Sequence, residues 1–382
     1  MPGTRVPKGG CIPGSVRQQT NLRNDSIKED QMQKTAIYRG EEIKEAIPVV
    51  REMPENYIAE LEMRTEQYVQ QLRDFESRCL LPGFDQEQLQ AEIALLTDSM
   101  LEACVRFEQQ VNNDAFIVKT AQVEFREKTN AILSRSYLIN RTRTWPQGHQ
   151  GDYNTLEMAY KNSPLSEGIG YYLDRYMLTA PLAEGVRDRI VMLRELLRGA
   201  LSTKPKQKVL DVACGSCREV FELAPAIKAS GAKFVCVDLD DDALNFALDR
   251  LAHAGLTTEQ VELRKYNALR IFDFETAVME FGMQDVIYSV GYFDYLPDDF
   301  LIKLLNSLYK LLAPGGKIIA SFKDVNRYRP HIYHWLVNWD GFLQRTEDDF
   351  ERILHYCDLP DSALKMERVD SGSVIFYTIA KP

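Results

Sequence analysis

Residues 207–219, Gln-Lys-Val-Leu-Asp-Val-Ala-Cys-Gly-Ser-Cys-Arg-Glu, constrain the fold of this 382-residue chain more than any other segment. The apolar run Val209, Leu210 and Val212 reads as a buried strand. Small residues, Ala213, Cys214 and Gly215, follow at once, and a helical stretch opens at Arg218. A strand that turns sharply into a helix, with its backbone left bare, suits the first unit of a doubly wound parallel sheet. In such sheets ligands lie outside the carboxyl ends of the strands, near the point where strand order reverses. About twenty residues further on, Phe234-Val-Cys-Val-Asp238 reads as a second buried strand ending in a carboxylate, suited to both hydroxyls of a ribose. The turn lacks the three-glycine dinucleotide pattern, and the sequence holds no Gly-Lys-Ser/Thr phosphate loop. A ligand with a ribose and no phosphate fits better than NAD or ATP. Asp238 also has a plainer reading beside a helix start, because Asp240 to Asp242 open the helical run Ala243–Ala254.

Later segments extend the pattern. Asn267-Ala268 follows a strand at Val261–Lys265, and Asp285-Val-Ile-Tyr-Ser-Val-Gly-Tyr292 reads as a fourth strand. Leu312-Ala-Pro-Gly-Gly-Lys317 turns into a fifth at Ile318–Ser321. Leu364–Val369, a Ser371-Gly372-Ser373 turn and Val374–Ala380 close the chain as a hairpin. In this order the segments resemble the class I methyltransferases that use S-adenosyl-L-methionine. The resemblance implies an α/β fold: a doubly wound, mostly parallel seven-stranded sheet, here with an N-terminal helical domain. It implies Asp211 near the donor's ammonium, directly or through water, and close contacts from Ala213, Cys214 and Gly215. It puts the ribose on Asp238, packs the adenine on Leu239 and reads its edge with Asn267-Ala268. Arg218 has two readings, the donor's carboxylate or a surface ion pair. Ser289, Gly291 and Tyr292 are expected to line the wall between donor and acceptor.

Three further segments resemble a narrower group, the bacterial methyltransferases that make 3-hydroxypalmitic acid methyl ester, the extracellular-factor signal. They are Gly148-His-Gln-Gly-Asp-Tyr153 with Met158-Ala-Tyr160, then Gly185-Val-Arg-Asp-Arg189, and a Trp-containing insert ending Gln344-Arg-Thr-Glu-Asp348. A shared fold and donor site do not fix the acceptor.

Composition and periodicity divide the chain into four parts. Residues 1–35 are polar and expected to be flexible. Residues 36–133 carry helical apolar stripes, broken at Pro82-Gly83, and predict a bundle or cap. Residues 134–200 predict a substrate-covering loop, rich in Arg141, Arg143, Trp145, His149 and Tyr153, followed by two helices. Residues 201–382 form the donor-binding domain, with an aromatic insert at 324–357. Candidate catalytic groups are Tyr153, His149 and Tyr292, and candidate substrate contacts are Asp152, Tyr295, Arg327 and Tyr333. A carboxylate acceptor needs no base, whereas an amine or guanidine needs a proton acceptor such as Asp152, Asp294 or His149. His149 has an alternative role as a structural hydrogen bond, and Tyr153 as loop packing.

The net charge of −10 and pI near 5.2 speak against nucleic acid as a partner. No apolar run approaches the roughly 20 residues that span a bilayer, and Met1 to Asn24 contains no secretory hydrophobic segment. With seven cysteines in no framework spacing, a reducing cytoplasm is expected. Cys214-x-x-Cys217 lacks a second pair, and His331 with His334 lack a third ligand, so no metal is expected. The expected partner is a small-molecule acceptor, with a second copy of the chain as a candidate contact through the N-terminal helices. The alternative is a polypeptide substrate docked along the helices of residues 40–125.

Overall fold

The computed structural model describes residues 55–360 and 363–382. The segment at 1–35 and the first part of the helical region lie outside the described residues. Among the described residues seven helices precede the sheet, the first six being α1 (Glu55–Arg78), α2 (Gln86–Gln110), α3 (Ala115–Leu133), α4 (Tyr137–Thr144), α5 (Tyr153–Lys161) and α6 (Ile169–Leu178). Local chemistry starts them where the sequence allows. Asp85, Asp114 and Ser136 accept backbone N–H bonds at the N-termini of α2, α3 and α4. Their apolar stripes meet in one core containing Leu72, Phe75, Ile93, Phe107, Phe125 and Leu173. Edge-to-face packing of Phe75 on Tyr172, with centroids 5.4 Å apart, ties α1 to α6.

Helix α7 (Pro181–Leu201) leads into β1 (Lys208–Val212), and short helices α8 (Arg218–Glu222) and α9 (Ala224–Ser230) precede β2 (Lys233–Asp238). There follow α10 (Asp241–His253), β3 (Val261–Lys265), α11 (Phe274–Phe281), β4 (Gln284–Val290), α12 (Asp298–Leu311), β5 (Leu312–Lys323), α13 (Glu347–His355), β6 (Leu364–Arg368) and β7 (Val374–Ala380). The strands form one sheet in the order β3-β2-β1-β4-β5-β7-β6. It is parallel from β3 to β5, and β7 runs antiparallel to both β5 and β6. Both faces are covered, which is why β1 reads as an almost continuous apolar run. Val209 joins the core under α7 to α10, while Leu210 and Val212 join the core under α11 to α13. Strand order reverses between β1 and β4, so a crevice opens at their carboxyl ends. No helix among the described residues is long and apolar enough to cross a membrane.

The insert at 324–357 departs from the expected partition. Its position in the chain assigns it to the sheet domain, but the structure divides it. Tyr328, Ile332, Tyr333, Trp335, Leu336, Val337 and Phe342 enter the helical core, whereas Phe350, Ile353 and Leu354 of α13 pack on the sheet. The reason is surface area. Trp335 is fully buried between Phe107 and Phe125, with centroids 6.2 and 5.7 Å away, and its Nε1 donates to Glu108 at 2.7 Å. Irregular backbone in this stretch needs outside donors. Arg126 supplies one to the His334 carbonyl and Arg143 one to the Leu336 carbonyl, each at 2.7 Å. Arg143, expected in a substrate-covering loop, thus braces the insert.

Candidate active site

The turn after β1 holds three residues with left-handed backbone: Ala213 (φ 61°), Gly215 (φ 52°) and Cys217 (φ 48°). Such a conformation costs a non-glycine residue about 1 kcal/mol or more and clusters at functional sites. A Cβ built on Gly215 meets nothing within 4 Å, so the crevice in front of it is open. Asp238, at the tip of β2, faces the same space. Its Oδ2 accepts from the Gly215 N–H at 2.7 Å and its Oδ1 from the Asp240 N–H at 3.0 Å. Asp240, not Asp238, is the N-cap of α10. Burial pushes the Asp238 carboxyl above the usual carboxylate range. Leu239 is half-buried beside it, and Tyr292 stands close enough for the Asp238 charge to add to burial in raising its phenol. Asn267 accepts from the Leu269 N–H at 2.9 Å and opens the short helical turn that Ala268 begins.

Beneath the turn lies a polar layer on the three central strands. Asp211 pairs in register with Cys236 on β2 and Tyr288 on β4. The Tyr288 hydroxyl donates to Glu219 Oε1 of α8 at 2.9 Å. Burial, then the neighbouring Glu219 charge, lifts the Asp211 carboxyl far above its ordinary value, and burial pushes Glu219 up to about 7. Asp211 is 2% exposed, and its Oδ2 has no hydrogen-bond partner. A buried acceptor without a donor is where a ligand's ammonium would fit. Cys214 and Cys217 are buried below the turn, with ligand atoms within 4.8 Å of each other and of Asp211. Cys214 also holds the turn to β2, its N–H donating to the Val237 carbonyl at 3.0 Å.

Several expected contacts are placed elsewhere. Ser289 does not face the crevice: it is fully buried and donates to the Val212 carbonyl at 2.7 Å, clamping β4 to β1. Arg218 is committed to Glu222 and to Glu157, with the latter at 3.3 Å, so of its two readings the structure shows the ion pair. Asp152 cannot serve as a base while it caps α5 and accepts from Arg141 Nη2 at 2.6 Å. Asp294 is likewise occupied, by the Lys323 N–H and ammonium. Arg327 points away, 61% exposed and 4.0 Å from Asp324. Tyr333 is buried in the helical core against Tyr328, Trp339 and Phe342.

The glycine-rich loop is tied to α10 and to the insert through other contacts. His149 Nε2 lies 3.3 Å from Asp240 Oδ2, the structural hydrogen bond that was its alternative role. Tyr153 packs its ring on Phe246 of α10, 5.1 Å between centroids. Gln150 accepts from the Gly341 N–H at 2.6 Å, and Tyr295 accepts from Trp339 Nε1 at 2.8 Å, so loop and insert meet at Tyr295. Gly291, at the end of β4, faces Arg189 of α7.

Sequence reasoning missed two groups that organise the site. Glu157 of α5 accepts from Ser216 of the turn at 2.7 Å and from Arg250 of α10 at 2.6 Å, joining three separate elements. Burial works to raise its pKa, but the bonds from Arg250 and Ser216 outweigh it and hold the carboxyl below its ordinary value. Arg189 is 3% exposed. Its only signal was its place in Gly185-Val-Arg-Asp-Arg189, a segment noted for resemblance and given no role.

Residues 210–318 match the family model described as methyltransferase domain. Phosphoethanolamine N-methyltransferase 1 of Zea mays is 33% identical over 121 residues, which cover 32% of this chain and 21% of that protein. The demethylmenaquinone methyltransferase of Bacillus cytotoxicus is 28% identical over 124 residues, 31% of this chain and 46% of that protein. The chain thus spans less than half the length of these curated relatives. A solved structure of a possible exported protein from Bordetella parapertussis has a TM-score of 0.50 at 20% identity, covering 86% of this chain and 99% of that one. Identity this low shows a common fold alone.

Proposed function

We propose that the chain is a methyltransferase that uses S-adenosyl-L-methionine and acts on an O or N nucleophile of a small metabolite. The observation that carries this reading is the Asp238 carboxylate, held 2.7 Å from the Gly215 N–H at the point where strand order reverses, in front of open space. The residues present fit such a donor. Asp238 has acceptor capacity left for ribose hydroxyls, Asn267, whose side-chain oxygen caps the following turn, would turn its amide to the adenine edge, and the partnerless Asp211 Oδ2 suits an ammonium. When bound, the donor supplies a methyl group already activated on a sulfonium. What remains for the protein is alignment and exclusion of water. The Gly151-Asp152-Tyr153 loop and the insert supply that cover, joined through Gln150 and Gly341.

The likeness to methyltransferase domains at residues 210–318 supports the same activity, and the aromatic side chains Tyr153, Tyr292 and Tyr295 near the crevice suit a compact acceptor. The test is incubation with methyl-labelled S-adenosyl-L-methionine and a fractionated extract of small metabolites. Label in a small product, with S-adenosylhomocysteine released, is the expected result. No S-adenosylhomocysteine binding and no labelled product would overturn the reading.

A further inference from the structure

Gly185-Val-Arg-Asp-Arg189 positions a cation that no carboxylate among the described residues neutralises. A Cβ on Gly185 would stand 2.0 Å from Ser373 Oγ, so α7 lies directly on the turn between β6 and β7. That turn grips the helix: Ser371 N–H donates to Asp188 at 2.9 Å and Ser373 Oγ donates to the Pro181 carbonyl at 3.1 Å. One helical turn later the same helix delivers Arg189 to the end of β4. There a Cβ on Gly291 would stand 2.9 Å from Arg189 Nη1, so a glycine at that position lets the guanidinium approach. Arg189 Nη2 reaches the Tyr160 hydroxyl at 3.4 Å, and Nε is buried with no partner. Among the described residues no carboxylate lies within ion-pair distance of it.

The surroundings repeat the imbalance. Lys323, also buried, is already paired with Asp294. Burial and the Arg189 charge both work to lower the Lys323 ammonium, against the pull of Asp294. Of these two buried cations, Asp294 pairs with Lys323 alone. An unpaired buried guanidinium opposes folding and is retained where a ligand brings the missing charge. Its planar fork of donors matches a carboxylate better than any other common anion of metabolites without phosphate.

We propose that Arg189 is the seat of a ligand carboxylate beside Gly291. The proposal rests on the methyl-transfer reading, under which two ligands share this space. One carboxylate belongs to the methionine part of the donor, the other to a metabolite acceptor. One of the two readings of Arg218 put the donor's carboxylate there, but Glu222 and Glu157 already occupy that guanidinium.

Calorimetric titration separates the sources. Wild type, Arg189→Met and Arg189→Lys are titrated with S-adenosylhomocysteine and with 5′-methylthioadenosine, which lacks the amino-acid carboxylate. Straight-chain monocarboxylates from acetate to octanoate are then added in the presence of S-adenosylhomocysteine. Arg189→Met is expected to lose about 10- to 100-fold in affinity in one arm. Loss toward S-adenosylhomocysteine but not 5′-methylthioadenosine assigns the carboxylate to the donor. Loss toward the monocarboxylates alone assigns it to the acceptor. Arg189→Lys recovers part of the loss in either arm. Without ligand, Arg189→Met melts no lower than wild type, whereas a merely structural arginine would melt lower when removed. Unchanged affinity of Arg189→Met in both arms, including no uptake of monocarboxylates by wild type, overturns the proposal. Failure of wild type to bind both adenosyl compounds refutes the donor reading beneath it instead.

Discussion

Replacing Asp238 with alanine removes the group on which the donor crevice is built. A carboxylate offers about four lone-pair directions. Two are taken, by Gly215 N–H at 2.7 Å and Asp240 N–H at 3.0 Å, which leaves two for a ribose. A hydrogen bond to a charged group contributes about 1.5–3 kcal/mol, so the pair amounts to roughly 3–6 kcal/mol. At about 1.4 kcal/mol per tenfold, Asp238→Ala should weaken S-adenosylhomocysteine binding by about 10²- to 10⁴-fold. The assay is titration calorimetry, with circular dichroism to confirm the fold, because the two lost backbone contacts also loosen the turn. A cycle with 5′-methylthioadenosine and its 2′-deoxy counterpart isolates the sugar. Wild type should prefer the ribose form by about 10- to 100-fold, and Asp238→Ala should show no preference. Binding within about fivefold of wild type, or a retained preference for ribose, would refute the reasoning.

Glu157→Gln leaves Arg250 short of its buried counter-charge and should lower unfolding stability by about 3 kcal/mol in urea melts. The Glu157 pKa is depressed on folding, so its contribution is full above the ordinary glutamate value and is lost as pH falls through the folded value. An acid melt of the variant should lack that loss. His149 is governed by the opposite sign: its bond to Asp240 raises its pKa, so its contribution is complete below the ordinary histidine value and fades as pH rises through the folded value. Melting wild type against His149→Gln from acid to alkaline pH should show a gap of about 0.2–1 kcal/mol that closes on the alkaline side, and a gap that grows there would contradict the pairing. Trp335→Ala should cost about 3–5 kcal/mol in thermal unfolding, since it empties the centre of the helical core and removes one of the donors to Glu108; a cost below about 1 kcal/mol would show that the insert does not belong to that core.

The sheet was legible because its signals are local. Val209 to Val212 alternate between two buried faces, and small residues must follow where the backbone turns. Asp238 could be placed because the end of a strand fixes where its side chain lies. What stayed hidden depends on partners far away in the chain. Arg189 and Glu157 sit in helices where a charged residue reads as solvent-facing, and only packing reveals each as buried. Asp152 carried a readable warning in Asp152-Tyr-Asn-Thr155, a pattern that suits an N-cap better than a free base. Ser289 was drawn to the crevice by its place near the end of β4, although its hydroxyl reaches the Val212 carbonyl of the neighbouring strand.

The divided insert restricts how the helical core can move against the sheet. The chain passes between the helical core and the sheet cores along α7, again after β5, and once more before α13. A roof stitched down along three seams does not swing on one pivot, because turning about any seam strains the other two. The shorter segment at residues 146–152 is fastened at two points only, by His149 on Asp240 and Gln150 on Gly341.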